Sequence, residues 1–132
     1  DWHESTPAGA GFVRWLWSRG LREAGLADGN PVRVVVERLR ERGGLIGLGV
    51  GPDLISAPDD LRRLIDSLAT VPFQGRPGYE GIGIGTGYLD FDGAVSGLEH
   101  APKVARWLKK TFPPEVAPAL ANLNAAPLLA EA

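Results

Sequence analysis

Cysteine and methionine are both missing from this chain of 132 residues, and histidine occurs only twice, at His3 and His100. The lack of cysteine excludes disulfides, thiolate metal sites and a cysteine nucleophile, and says little about compartment. With no methionine even at position 1, Asp1 is not expected to be a native translation start. The chain therefore reads as a processed product, a subunit or a piece of something longer. No apolar run approaches the ~20 residues of a helical membrane span, so no membrane segment is expected. No signal-peptide pattern is visible, and the compartment expected is the cytoplasm. The net charge is -2 and arginine alternates with glutamate between residues 33 and 42, which leaves no basic patch for a phosphate backbone. Nucleic acid is not an expected partner.

What the chain does have is glycine, 18 residues of it, gathered around two short apolar runs. The first is Gly43-Gly44-Leu45-Ile46-Gly47-Leu48-Gly49-Val50 and the second Gly81-Ile82-Gly83-Ile84-Gly85-Thr86. Each reads as a short buried strand, the first stopped by Gly51-Pro52. Around them lie helical patterns. Phe12 to Ala24 sets Phe12, Trp15 and Leu16 to one side. From Pro31, Val32, Val35, Val36 and Leu39 fall at helical spacing with Arg33, Glu37, Arg40 and Glu41 outside, and Gly43-Gly44 ends that helix; the valines from 32 to 36 also suit a strand, and the charges from 37 to 42 favour the helix. Ser56-Ala57-Pro58-Asp59 resembles a capping box opening a helix with Leu61, Leu64, Ile65 and Leu68 inward. The stretch from Gln74 to Gly78 reads as a loop. Pro102 to Phe112 turns Val104, Trp107 and Leu108 inward, Pro113-Pro114 breaks it, and a last helix begins at Glu115. Helices alternating with two strands predict an α/β fold with parallel strands joined by helical crossovers. The chain is read as a single domain or fragment over 1–132, with 123–132 a flexible tail.

The second strand leads within a few residues to Asp90-Phe91-Asp92-Gly93. In an extended segment Asp90 and Asp92 share a face, which suits an acid/base or ligand pair and equally a polar turn after a strand. The glycines at 81, 83, 85 and 87 do not form a dinucleotide-binding Gly-x-Gly-x-x-Gly. They predict instead a strand whose bare face is closely packed against something. His100, just before a helix, reads as a surface or capping residue.

The ordered set Gly43-Gly44-Leu45-Ile46-Gly47, a helix with its stripe at 61 to 68, Gly81-Ile82-Gly83-Ile84-Gly85-Thr86, Asp90-Phe91-Asp92-Gly93 and Gly97-Leu98-Glu99 resembles the C-terminal part of the renal (membrane) dipeptidase family of metallopeptidases. Asn122-Leu123-Asn124-Ala125 would correspond to that family's closing segment. The resemblance implies a partial (β/α) barrel, the C-terminal portion of a TIM-barrel metallohydrolase, with two zinc ions in the complete site and dipeptides as substrate. It implies Asp90 as the catalytic residue that manages the proton of the attacking water, with Asp92 and Gly93 shaping the substrate loop. Counting from Gly83-Ile84-Gly85-Thr86 would put Gly87 at the aspartate's position instead. His3 would be a metal ligand. A whole barrel takes about 250 residues, so another chain or copy would complete this one. The alternative is a non-catalytic α/β binding or scaffold module that keeps the elements and has lost the metal site.

Overall fold

The structure is a computed structural model that describes residues 31–51, 55–85 and 95–126. The expected first helix, Phe12 to Ala24, lies outside them. In chain order the elements are α1 (Pro31–Glu41), β1 (Ile46–Gly49), α2 (Pro58–Thr70), β2 (Ile82–Gly85), α3 (Ala101–Thr111) and the single turn α4 (Val116–Pro118). The last runs directly into a π-helical turn, Ala119–Leu123. β1 and β2 lie side by side and parallel, with Ile46 opposite Ile82, Gly47 opposite Gly83, Leu48 opposite Ile84 and Gly49 opposite Gly85. A parallel pair needs a long crossover between its strands, and α2 lies within it. The fold is α/β, as the alternation of elements predicts.

α1 begins on a proline whose missing N–H costs nothing in a first turn. Its inward side is Val36 and Leu39, both buried, with Val35 packed beside them. The helix stops where Gly43 takes a positive φ of 76°. There Gly44 N–H donates to Leu39 O at 2.8 Å and Gly43 N–H to Arg40 O at 3.1 Å, the paired bonds that close a helix over a left-handed glycine.

Arg40 corrects the expectation that placed it on the outer face, because its side chain is fully buried. Its guanidinium donates from Nε to Val71 O at 2.7 Å, from Nη1 to Glu80 O at 2.8 Å and from Nη2 to Gly78 O at 2.7 Å. The Phe73 ring lies 5.5 Å from its centre, within reach of a cation–π contact. The carbonyls come from the chain between α2 and β2, which folds back over the end of α1. Within it Phe73 and Arg76 exchange both backbone hydrogen bonds, at 2.7 and 3.1 Å. Gln74 (φ 47°) and Gly75 (φ 87°) turn the corner between them. The stretch expected as a plain loop is thus a two-residue hairpin with both central residues at positive φ, as in a mirror-image turn.

α2 buries Leu61, Ile65 and Leu68 completely, the stripe its spacing predicts. Its capping differs from the expected box: Ala57 is the capping residue, and Asp60 Oδ2 accepts from Ser56 N at 2.9 Å and Ala57 N at 3.1 Å. Pro58 at the first helical position moves the start one residue on, which makes Asp60 the reaching carboxylate. α3 buries Val104 and Leu108, with Trp107 packed partly against the core and set edge-on to Phe112 at 5.9 Å. One core joins α1, both strands, α2, α3 and the last turns as far as Leu120.

Candidate active site at the C-terminal ends of the strands

Because β1 and β2 run the same way, the chain leaves both on one side, after Val50 and after Gly85. In open parallel sheets and in barrels, ligands gather on that side. The continuation of β2 is residues 86–94, which carry Asp90, Asp92 and Gly93. These three residues, and His3, lie outside the described residues.

The described residues fix the points where the chain comes back. After 52–54 it returns at Ile55, and after 86–94 at Val95, both buried. Leu98 follows, fully buried, so each of these segments re-enters the core. Gly97 turns at a φ of 95°, and a side-chain carbon placed there would stand 3.6 Å from Pro58 Cγ at the start of α2. Glu99 ties the same stretch to α3. Its carboxylate accepts from the Gly97 N–H and its own N–H, and Lys103 Nζ lies 2.9 Å from Oε2. These hydrogen bonds, that from Gly97 foremost, pull its pKa from 4.5 down to about 2. At the N-terminus of α2, Asp59 pairs with Arg62 at 3.0 Å and Arg63 at 2.9 Å, and the Arg62 hydrogen bond lowers its pKa.

The opposite end of the strand pair is built around the buried Arg40. Burial draws the Arg40 pKa to about 10 against the opposing pull of Glu80, and leaves the group charged at neutral pH. Gly81 lies against the Phe73 ring, and a side-chain carbon there would also stand 2.8 Å from Gly44 O. The close approach expected along the glycine-rich run is thus found at Gly81, just before the strand, whereas Gly83 within it would meet only Leu45 Cδ1 at 3.5 Å, an ordinary contact. Tyr79 donates to Asp66 Oδ1 at 3.0 Å, and burial raises its pKa. Asn124 donates from Nδ2 to Tyr79 O at 2.7 Å and to Ile82 O at 2.8 Å. Since Gly81 O already accepts from Ile46 N across the sheet, the next carbonyl, Ile82 O, faces outward, and Asn124 takes it.

Among the described residues no three His, Asp or Glu side chains converge as metal ligands would. They do not supply the ligand set that two zinc ions require. His100 is instead the cap of α3, its Nδ1 accepting from Lys103 N at 3.4 Å, in line with the capping role read from the sequence. Nor does any helix among the described residues reach the length and apolarity needed to cross a membrane. Arg40, Glu99 and Asn124 were not marked as anchors by sequence pattern. For Arg40 the signal is the glycine pair after α1, which announces a helix end but not what closes over it, while Glu99 and Asn124 stand out only within Gly97-Leu98-Glu99 and Asn122-Leu123-Asn124-Ala125, with no anchoring role. Set against known protein families, curated proteins and solved structures, the chain matches none.

Proposed function

We propose that this chain is the C-terminal part of a (β/α)-barrel metallohydrolase that cleaves dipeptides and is completed by another chain or copy. One observation supports the reading most: the two glycine-rich segments are adjacent parallel strands in register, with a helix in the crossover between them. That arrangement sends the Asp90-Phe91-Asp92-Gly93 segment off the C-terminal end of β2, the side on which such folds do chemistry. In this reading Asp90 holds the attacking water, takes its proton as the new C–O bond forms, and delivers that proton to the amine as the C–N bond breaks. Asp92 and Gly93 shape the loop that receives the dipeptide. The resemblance implies zinc, with His3 as one ligand. The described residues provide no ligand set, so the remaining ligands would come from elsewhere in the complete protein.

A closed barrel would need further strands along the outer edges of both β1 and β2; at the start of β2 the outward Ile82 O is already taken by Asn124, which counts against a strand at that position. Among the described residues the sheet has no third strand.

The test is dipeptide turnover by the assembled protein with zinc present. Asp90→Asn should lower it by about a hundredfold or more, the scale of a lost general base, while the melting temperature stays nearly unchanged, as for an isosteric swap. Full activity in Asp90→Asn with loss on substitution of Gly87 would move the role to the other register. If the assembled protein cleaves no dipeptide, the non-catalytic scaffold reading takes its place. Native mass spectrometry of this chain alone should show little stoichiometric zinc, since His3 is the single ligand the resemblance assigns to it, against the three protein ligands usual at a catalytic zinc.

A further inference from the structure

α3 and the last two turns leave a groove of about 540 Å³ between them. Its floor is Leu108 and Ala117, both buried members of the core, and its walls include Ala105 and Ala121. Lys109 and Asn122 are the only lining residues with polar side chains. Pro114 and Pro118 fix the backbone of one wall, so the groove does not have to be ordered when something enters it. Small side chains along both walls leave room for larger ones from outside. Directly beyond Asn122, Leu123 is 58% exposed.

The charge along the rim says what kind of partner fits. Lys109 lines the groove, and Arg106, one turn earlier on α3, follows it on the solvent side. Lys110 adds a third exposed cation in the same two turns. Lys103 is matched by Glu99 at 2.9 Å, but no carboxylate among the described residues pairs with Arg106, Lys109 or Lys110. An apolar trough bordered by cations that no carboxylate among the described residues pairs with is complementary to a helix whose apolar stripe is flanked by carboxylates. A neutral apolar partner would leave the cations unused, and a basic one would be repelled.

We propose that this groove docks an acidic amphipathic helical segment of a partner protein. Leucine-sized side chains enter the trough over Leu108 and Ala117, and flanking carboxylates meet Lys109 and Arg106. The proposal is independent of the hydrolase reading.

The experiment measures binding, by fluorescence anisotropy, of a synthetic helical peptide with leucines at every third or fourth position and glutamates along the flanks. The control peptide carries the same leucines with lysines in place of the glutamates. The acidic peptide should bind the chain at least about tenfold more tightly, and the preference should shrink as salt is raised. The double variant Lys109→Glu with Arg106→Glu should reverse the preference. Ala121→Trp fills the trough from an exposed position and should abolish binding of both peptides while circular dichroism shows the fold intact. Equal binding of the two peptides, no binding of the acidic peptide at millimolar concentration, or an unchanged preference in the charge-reversed variant would overturn the proposal. So would a dimer of the chain that Ala121→Trp dissociates, since the groove would then belong to a second copy.

Discussion

At the N-terminal end of the strand pair, a buried guanidinium holds three carbonyls from a segment 31 to 40 residues away, and Phe73 covers it. At the C-terminal end the described residues show short local ties, such as Glu99 to Lys103, Asp59 to Arg62 and Arg63, and Asp60 to Ser56 and Ala57. The first end commits distant stretches of chain to one geometry. The second fixes the stems of two segments by burying Ile55 and Val95, and leaves the rest to what those segments carry. In (β/α) barrels the N-terminal face is the structural one and the other face receives ligands, and under the proposed reading the two ends of this strand pair divide in the same way. Substitutions at the two ends should therefore act on different quantities.

The largest effect should come from Arg40. Arg40→Met keeps most of the apolar stem and removes the donors, so Val71, Gly78 and Glu80 lose a charged partner together. The expected loss is about 3–5 kcal/mol in urea unfolding, taking the partly exposed carbonyls at the low end of the range for such bonds. Arg40→Lys, with one ammonium for three divergent acceptors, should recover only part of it. If Arg40→Met proves as stable as the parent, that end is held by packing and the contrast between the ends collapses. A sharper comparison uses one substitution at both. Gly81→Ala meets the Phe73 ring and Gly44 O at a φ of 71°, so strain and crowding add to about 2–4 kcal/mol. Gly97→Ala meets Pro58 Cγ only at 3.6 Å, an ordinary contact, and should cost about 1–2 kcal/mol of backbone strain alone. Next comes Asn124→Ala, which frees Tyr79 O and Ile82 O and should cost about 1–2 kcal/mol.

The smallest effect is visible only in acid. The folded pKa of Glu99, about 2, lies below its ordinary 4.5, so its contribution is present above the ordinary value and is lost as pH falls through the folded one. Between those values the parent should lose stability with falling pH more steeply than Glu99→Gln. Parallel curves would mean that the turn at Gly97 holds without the carboxylate.

Much of the framework could be read from residue order. Val36 and Leu39 fall inward because helical periodicity reports burial, and the two glycine-rich runs pair because each is too short and too apolar to lie elsewhere. Arg40 escaped because a helical wheel assigns a charged residue to solvent, and its acceptors are backbone carbonyls that carry no sequence signature. The 73–76 hairpin escaped because Gln74 takes the positive φ that asparagine usually signals. The π-helical turn follows a proline that has no N–H to continue a regular ladder, and periodicity alone reads straight through it. For the candidate site the sequence offers Asp90, Asp92, Gly93 and His3. All four fall outside the described residues, so what the fold adds is the side of the sheet from which the Asp90 segment departs.

The span of the Arg40 contacts also sets an order of events in folding. A chain ending at residue 70 has α1, β1 and α2 but none of the three carbonyls, and burying the guanidinium there would desolvate a charge with nothing to compensate it. Docking of α1's last turn must wait for the return of residues 71–80, a loop closure whose entropy is lost before any of its bonds form. Local helix formation should thus come early and closure of this end late. During synthesis, the chain cannot lock that end until the turn before β2 has emerged.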